Sequence, residues 1–214
     1  MKCGKCRFCL PLLLLLAVAL SCAPQKRAEL KTPENKLAVA PFYQPGSGEK
    51  CLCPLDRSEQ DVPDRVLEQL TAELLDQLDK RGLSSLKEPG RVERCRKAVF
   101  SGSSASPESR REYWSSVGDC VSADYLLIPQ LMQWRQRLGG QWGVEKPARV
   151  VLCLVLFHAK KDKVLEVFSF QEEQQSLTQN LLKIGAFIRR GGGWIRAQEL
   201  AAEGIRRGLG ELGL

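Results

Sequence analysis

The segment from Arg149 to Phe157 is apolar at every position after its first residue. A strand with one face in water alternates apolar and polar side chains, so this uninterrupted run predicts a strand that is covered on both faces. Its sheet therefore has to be packed between other segments of the chain. With 214 residues, 43% of them hydrophobic and 27% charged, the chain is long enough to bury a substantial core.

The pattern from Lys36 onward predicts the order of the elements. Residues 36–42 resemble a short buried strand, and a helix with leucines at helical spacing opens at Pro63 and runs to Lys80. A weak strand is expected over 83–86. Further helices are expected over 91–100, 108–117, 177–188 and 195–209, and further strands over 123–137, 149–157 and 164–170. Within the first of these strands, Pro129 predicts a sheet edge or a bulge.

This order predicts an α/β chain of the α+β type. One mixed sheet ends in an antiparallel meander made of the last three strands, and the helices pack on that sheet.

The first residues predict a signal peptide. Residues 1–7 are basic, and the apolar run that follows at 10–20 is shorter than the roughly 20 residues that a membrane-spanning helix needs. Small or apolar residues at 19–21 then precede Cys22. A basic segment, a short apolar segment and a cleavage site in this order are typical of export, with residues 1–21 removed.

The residues around Cys22 resemble a lipobox, with Ala19 where leucine is usual. The resemblance implies that the Cys22 thiol is alkylated by diacylglycerol and becomes the mature N-terminus, and two or more acyl chains anchor a protein stably. Ala23 is not acidic, which implies the outer membrane. An ordinary secretory signal is the alternative. We therefore expect residues 22–35 to form a lipidated tether and residues 36–214 a single periplasmic domain.

Net charge argues against a nucleic-acid partner. The formal charge of the whole chain is +7, and removing Lys2, Lys5 and Arg7 with the leader leaves +4. No RNA-binding signature, zinc-finger spacing or long basic run accompanies this modest excess. The expected partners are instead a membrane, reached through the lipid, and an envelope protein.

Five cysteines follow Cys22, and an oxidising compartment favours pairing among them. Disulfides are expected to involve members of the set Cys51, Cys53, Cys95 and Cys120. A four-thiolate zinc site is the weaker alternative, because the spacing at 51–53 is C-x-C rather than C-x-x-C. Cys153 lies within the apolar strand and is interpreted as a small core residue.

The sequence offers no convincing catalytic set. His158 is the one histidine and is expected at a solvated strand end. Glu172 and Glu173 are adjacent, so in a strand they point to opposite faces and are interpreted as a solvated edge. We therefore expect no enzyme activity, no cofactor and no metal.

Trp134, Arg135, Arg137 and Trp142 cluster at the first turn of the meander. Tryptophan and arginine are enriched at protein interfaces, so this cluster is a candidate partner-binding surface. The alternative is that both tryptophans cover the core.

Residues 36–42 (Lys-Leu-Ala-Val-Ala-Pro-Phe), the helix from Pro63 and the segment Ala123-Asp-Tyr-Leu-Leu resemble a group of envelope lipoproteins. That group includes the curli-secretion lipoprotein, the penicillin-binding-protein activator lipoproteins and the N-terminal domain of the Tol-system periplasmic protein. The similarity covers roughly Lys36 to Gln171 and carries over no catalytic residue. It implies a non-enzymatic accessory or docking module for an envelope assembly or transport system. The alternative is a self-oligomerising structural subunit of a secretion-type complex.

Overall fold

The computed structural model describes residues 36–46, 52–83, 86, 88–102, 110–138, 146–173 and 196–214. The expected signal peptide, the tether, Cys51, Trp142 and the helix expected over 177–188 lie outside the described residues. The strands are β1 (Leu37–Val39), β2 (Tyr125–Arg135), β3 (Arg149–His158) and β4 (Lys163–Glu173). The helices are α1 (Asp64–Asp79), α2 (Pro89–Gly102), α3 (Arg110–Val121) and α4 (Ala197–Glu211), with a short 3-10 turn at Ala159–Lys161.

The strands form one mixed sheet in the order β1-β2-β3-β4. β1 is parallel to β2, whereas β2, β3 and β4 form an antiparallel meander. Leu152 of β3 pairs with Leu131 on one side and with Phe170 on the other. The predicted fold class, with its mixed sheet and C-terminal meander, is confirmed.

Helices α1 and α4 cover one face of the sheet. Leu70, Leu74 and Leu78 project from successive turns of α1 and pack on β1, β2 and β3 together with an apolar stripe from α4. Close approach of α4 depends on Gly208, where a Cβ atom would lie 2.5 Å from a ring carbon of Phe168. The large apolar side chains of this layer exclude water from one whole face of the meander.

The opposite face is covered in two different ways. Near the start of β2, helices α2 and α3 pack on the sheet through Val92, Trp114, Val117 and Val121. Further along β2 and β3, this face is covered by residues 52–62, which contain no helix. They bury Met132 and Val151. We call residues 52–62 the cover segment. Because β3 is buried on both faces, the strand predicted from its apolar run is confirmed.

Pro129 lies inside β2, which has a neighbour on each side, so the predicted edge position is wrong. The Ala40 N–H donates to the Leu127 carbonyl and the Leu131 N–H donates to the Tyr43 carbonyl, on either side of Pro129. Pro129, which has no N–H to donate, therefore lies where the chain has left β1 and the hydrogen bonds between that chain and β2 are interrupted. The register irregularity falls two residues further on, between Leu131 and Gln133.

The weak strand expected over 83–86 is also contradicted at its described positions. Leu83 and Leu86 belong to no strand, and both are half-buried against the core beside α1. Gly82 adopts a left-handed conformation with φ of 81° and ends the helical segment. The prediction rested on these two leucines, which instead pack separately against the core from a segment without regular structure.

Candidate functional site

A groove of about 590 Å³ opens at the carboxyl end of β1, between α1 and α2. Its floor is residues 41–43, which continue β1. We define the edge groove by the residues of this floor and of its two helical walls: Pro41, Phe42, Tyr43, Asp64, Leu67, Glu68, Thr71, Ala72, Leu75, Glu93, Arg96 and Lys97.

Hydrogen bonds to both neighbouring layers fix the floor of the edge groove. The Phe42 N–H donates to Thr71 Oγ1 at 2.9 Å, and the Thr71 hydroxyl donates to the Leu67 carbonyl at 2.8 Å. On the other side, the Tyr43 hydroxyl accepts from the buried side-chain amide of Gln130. The floor is thus held between helix α1 and strand β2, so the groove is a preformed feature of the fold.

The basic charges on the α2 wall are paired within that wall. The Arg96 guanidinium lies over the Tyr43 ring at 4.8 Å, and Arg96 Nε lies 2.8 Å from Glu93. Burial lowers the pKa of Arg96, but the hydrogen bond and charge of Glu93 outweigh it and raise that pKa above its ordinary value. Lys97 Nζ lies 3.6 Å from the same carboxylate. The two cations of this wall therefore share one carboxylate, which leaves an excess of one positive charge there.

The α1 wall has the opposite character. Asp64 and Glu68 are exposed and form no ion pair with any residue that the structure describes. Between them Leu67 is half-buried, and Leu75 continues the apolar strip two turns further along α1. The edge groove thus combines an apolar floor with an acidic rim, an arrangement that suits an apolar chain segment carrying a basic side chain.

The residues predicted to bind a partner do not share one exposed surface in the described part of the chain. Trp134 is half-buried and packs against the core below α4. The Arg135 guanidinium is held by the Glu173 carboxylate and by the Pro147 carbonyl. Arg137 is half-buried at the end of β2. These positions favour the alternative that Trp134 covers the core.

Glu173 lies on the edge strand β4 and is partly exposed, as expected, but its carboxylate is paired rather than freely solvated. Its carboxylate accepts hydrogen bonds from Arg135 and from Arg149, the latter at 2.7 Å. Burial raises the pKa of Glu173, but the two guanidinium groups outweigh this and lower it below its ordinary value. The cluster ties the far ends of β2, β3 and β4 together, while Glu172 stays half-buried beside it.

The expectation of a solvated His158 is wrong. His158 is 9% exposed, and its ring contacts the Tyr125 ring in a tilted arrangement with centroids 4.8 Å apart. Burial lowers the pKa of His158, and the nearby charge of Lys161 lowers it further. The His158 ring is therefore a packing element where the end of β3 pairs with the start of β2.

Two disulfides join the cysteines that the structure describes. Cys95 of α2 is bonded to Cys120 of α3, and Cys53 of the cover segment is bonded to Cys153 of β3. Cys153 is thus buried as expected but is a bonded residue rather than a small core filler. Among the described residues, no group of three or more His, Cys, Asp or Glu side chains is placed to hold a metal ion.

Neither a protein-family model nor a curated protein matches this chain in sequence. Similar solved structures include a PelC dodecamer from Paraburkholderia phytofirmans, 14% identical, covering 84% of this chain and 87% of that one at a TM-score of 0.44. A lipoprotein from Neisseria meningitidis is 13% identical and covers 73% of this chain and 94% of that one, with a TM-score of 0.37. A protein from Xanthomonas campestris is 12% identical over 83% of this chain and 84% of its own, with a TM-score of 0.40. At these identities and TM-scores, none of the three assigns a function.

Across the described ranges, no helix is both long enough and apolar enough to cross a membrane.

Proposed function

We propose that this chain is a non-enzymatic accessory lipoprotein, held on the periplasmic face of the outer membrane by lipid on Cys22, that docks a component of an envelope assembly or transport system. The edge groove is the observation that carries the docking role. Its floor is fixed by hydrogen bonds and its rim is acidic, so it is ready to receive a partner without rearrangement.

The proposed occupant is an extended segment of an envelope protein with apolar side chains and at least one lysine or arginine. Apolar side chains suit the half-buried strip of Leu67 and Leu75. A basic side chain suits Asp64 and Glu68, since the cations of the facing wall are already engaged by Glu93. Complementary charge at an interface raises specificity and association rate more than affinity.

The lipid anchor is tested by metabolic labelling with a palmitate analogue. The wild-type chain should be labelled and should fractionate with membranes, whereas Cys22→Ser should lose the label because no other residue carries the acyl chains. Cys51→Ser is the matched control and should keep the label. Label that persists in Cys22→Ser would contradict the anchor.

The docking role is tested by site-specific photo-crosslinking in cells. A benzophenone side chain at position 67, inside the edge groove, should form an adduct with a defined envelope protein. The same side chain at position 69 is the control, since Gln69 lies on the exposed side of α1. The crosslinked peptide of the partner should contain apolar residues and a basic residue.

Charge reversal separates this docking from chance proximity. Asp64→Lys with Glu68→Lys should reduce the adduct at position 67 several-fold, because like charges are destabilising across an interface. Glu59→Lys, an exposed reversal in the cover segment, should leave it unchanged. An adduct indifferent to the reversal would argue against the groove as the docking site. Assembly of several copies in mild detergent, with adducts only between copies, would favour the self-oligomerising subunit instead.

A further inference from the structure

One end of the sheet brings together three connections of the chain. Lys36 precedes β1, Asp124 precedes β2, and residues 159–162 join β3 to β4. The Asp124 N–H donates to the Lys36 carbonyl at 3.0 Å, and the Ala159 N–H donates to the Asp124 carbonyl at 2.9 Å. Four lysines are thereby collected at this end, which we call the basic end: Lys36, Lys160, Lys161 and Lys163.

The turn that carries Lys160 and Lys161 and leads into Lys163 is held firmly against α3. The Ser115 hydroxyl donates to the Asp162 carboxylate at 2.8 Å. Ala159 packs so closely on Gly118 that a Cβ atom added there would lie 2.2 Å from the Ala159 Cβ. The lysine side chains are therefore presented outward from a fixed backbone.

Acidic neighbours balance only part of the charge at the basic end. Asp124 lies 2.5 Å from Lys160 Nζ and 3.0 Å from Lys36 Nζ, and the hydrogen bonds from these two lysines lower the pKa of its carboxyl. Lys161 and Lys163 are exposed, and neither forms an ion pair with a described residue. Asp162 lies between these two lysines and Asp119 of α3 lies near Lys160, so this end keeps only a small positive excess. Lys161 and Lys163 present that excess to solvent.

The basic end is also where the domain meets its tether. Thirteen residues, 23–35, separate Cys22 from Lys36. A chain of thirteen residues spans at most about 45 Å. Lys36 is the described residue nearest to Cys22 along the chain, whereas the edge groove begins at the opposite end of β1.

We propose that the basic end rests on the anionic phospholipid headgroups of the membrane that holds the Cys22 lipid, an inference that depends on the proposed anchor. Lysines near an anionic leaflet are attracted to it, and the attraction falls off within a Debye length of about 8 Å at physiological salt. The anchor keeps this end of the domain near the leaflet, so that Lys161 and Lys163 can come within that range, and the fixed turn lets both contact the surface together.

The test uses the full chain, expressed with its leader, purified in detergent and reconstituted into vesicles. One set of vesicles is phosphatidylcholine alone, and the other contains phosphatidylglycerol as well. A water-soluble amine-acetylating reagent then probes each lysine, with mass spectrometry as the readout. Lys161 and Lys163 should react about fivefold more slowly on the anionic vesicles, and about 1 M salt should remove the difference. Lys146, exposed near the far end of β2, should react equally on both.

A charge-reversed variant provides the second arm of the test. Lys160, which the same turn carries, should show the same salt-sensitive slowing on anionic vesicles in the wild-type chain. Lys161→Glu with Lys163→Glu should abolish that slowing at Lys160, whereas Lys146→Glu should preserve it. Flotation with the vesicles reports the anchor independently of the lysines. Protein that floats but whose Lys161 and Lys163 react equally on both vesicle types would overturn this inference and leave the anchor standing. Protein that fails to float would overturn both.

Discussion

Replacing Cys53 and Cys153 together with alanine is expected to lower the free energy of unfolding by about 4–5 kcal/mol. The bond joins residues 100 positions apart, so its loss frees a very large loop in the unfolded chain. It also releases the cover segment from β3. Met132 and Val151, now buried beneath it, would gain access to water.

Thermal unfolding measures this effect. At about 2–4 °C per kcal/mol, Tm should fall by roughly 8–20 °C. The matched control is the alanine pair at Cys95 and Cys120, whose separation of 25 residues corresponds to a smaller loss of about 3.5 kcal/mol. Equal reactivity of all four thiols towards alkylation before and after reduction would show that neither bond forms.

Truncating Trp114 to alanine is the second large expected effect, with a loss of about 3–5 kcal/mol. The Trp114 side chain projects from α3 onto the sheet and is 0% exposed. Its ring lies 5.4 Å from that of Tyr113 and 5.9 Å from that of Tyr43. Its removal leaves a cavity that the surrounding rings fill only in part. Denaturant unfolding followed by circular dichroism gives the change in free energy.

Two variants control the tryptophan experiment. The Trp114 Nε1 hydrogen finds no acceptor among the described residues, so Trp114→Phe sacrifices no hydrogen bond and should retain most of the stability. Trp134→Ala, at a half-buried position, should cost less than Trp114→Ala. A larger loss at Trp134 than at Trp114 would contradict the burial that separates the two side chains.

Local patterns predicted the backbone layers well, because each layer leaves a period in the sequence. The uninterrupted apolar run of β3 and the leucine spacing of α1 record burial directly. The strand predicted around Leu83 and Leu86 was wrong because two apolar residues are too few to define a period. The environments of side chains at strand ends were harder to predict, because His158 and Glu173 contact residues that are distant in the sequence.

The candidate site was beyond sequence reasoning because its parts share no motif. Phe42, Thr71 and Arg96 belong to three separate elements, and the groove exists only where those elements meet. Trp134 was predicted as a binding residue because arginines are its neighbours in the sequence. The burial of Trp114 was not predicted, because the helix that contains it is mostly polar. The pairing of Cys53 with Cys153 likewise depends on where the cover segment crosses the sheet.

If the chain is exported as proposed, the order of its cysteines along the sequence constrains how its disulfides can form. The bond between Cys95 and Cys120 lies wholly inside the loop closed by Cys53 and Cys153. Of the four bonded cysteines, Cys53 is the first to emerge from a chain that is exported from its N-terminus, and Cys95 is the second. Cys153 arrives only after both α-helical cysteines have passed into the oxidising compartment. Oxidation in order of appearance would therefore join the wrong pair, and the native pairing requires exchange of that early bond by thiol attack. Maturation of this protein should accordingly depend on a disulfide isomerase as well as on an oxidase.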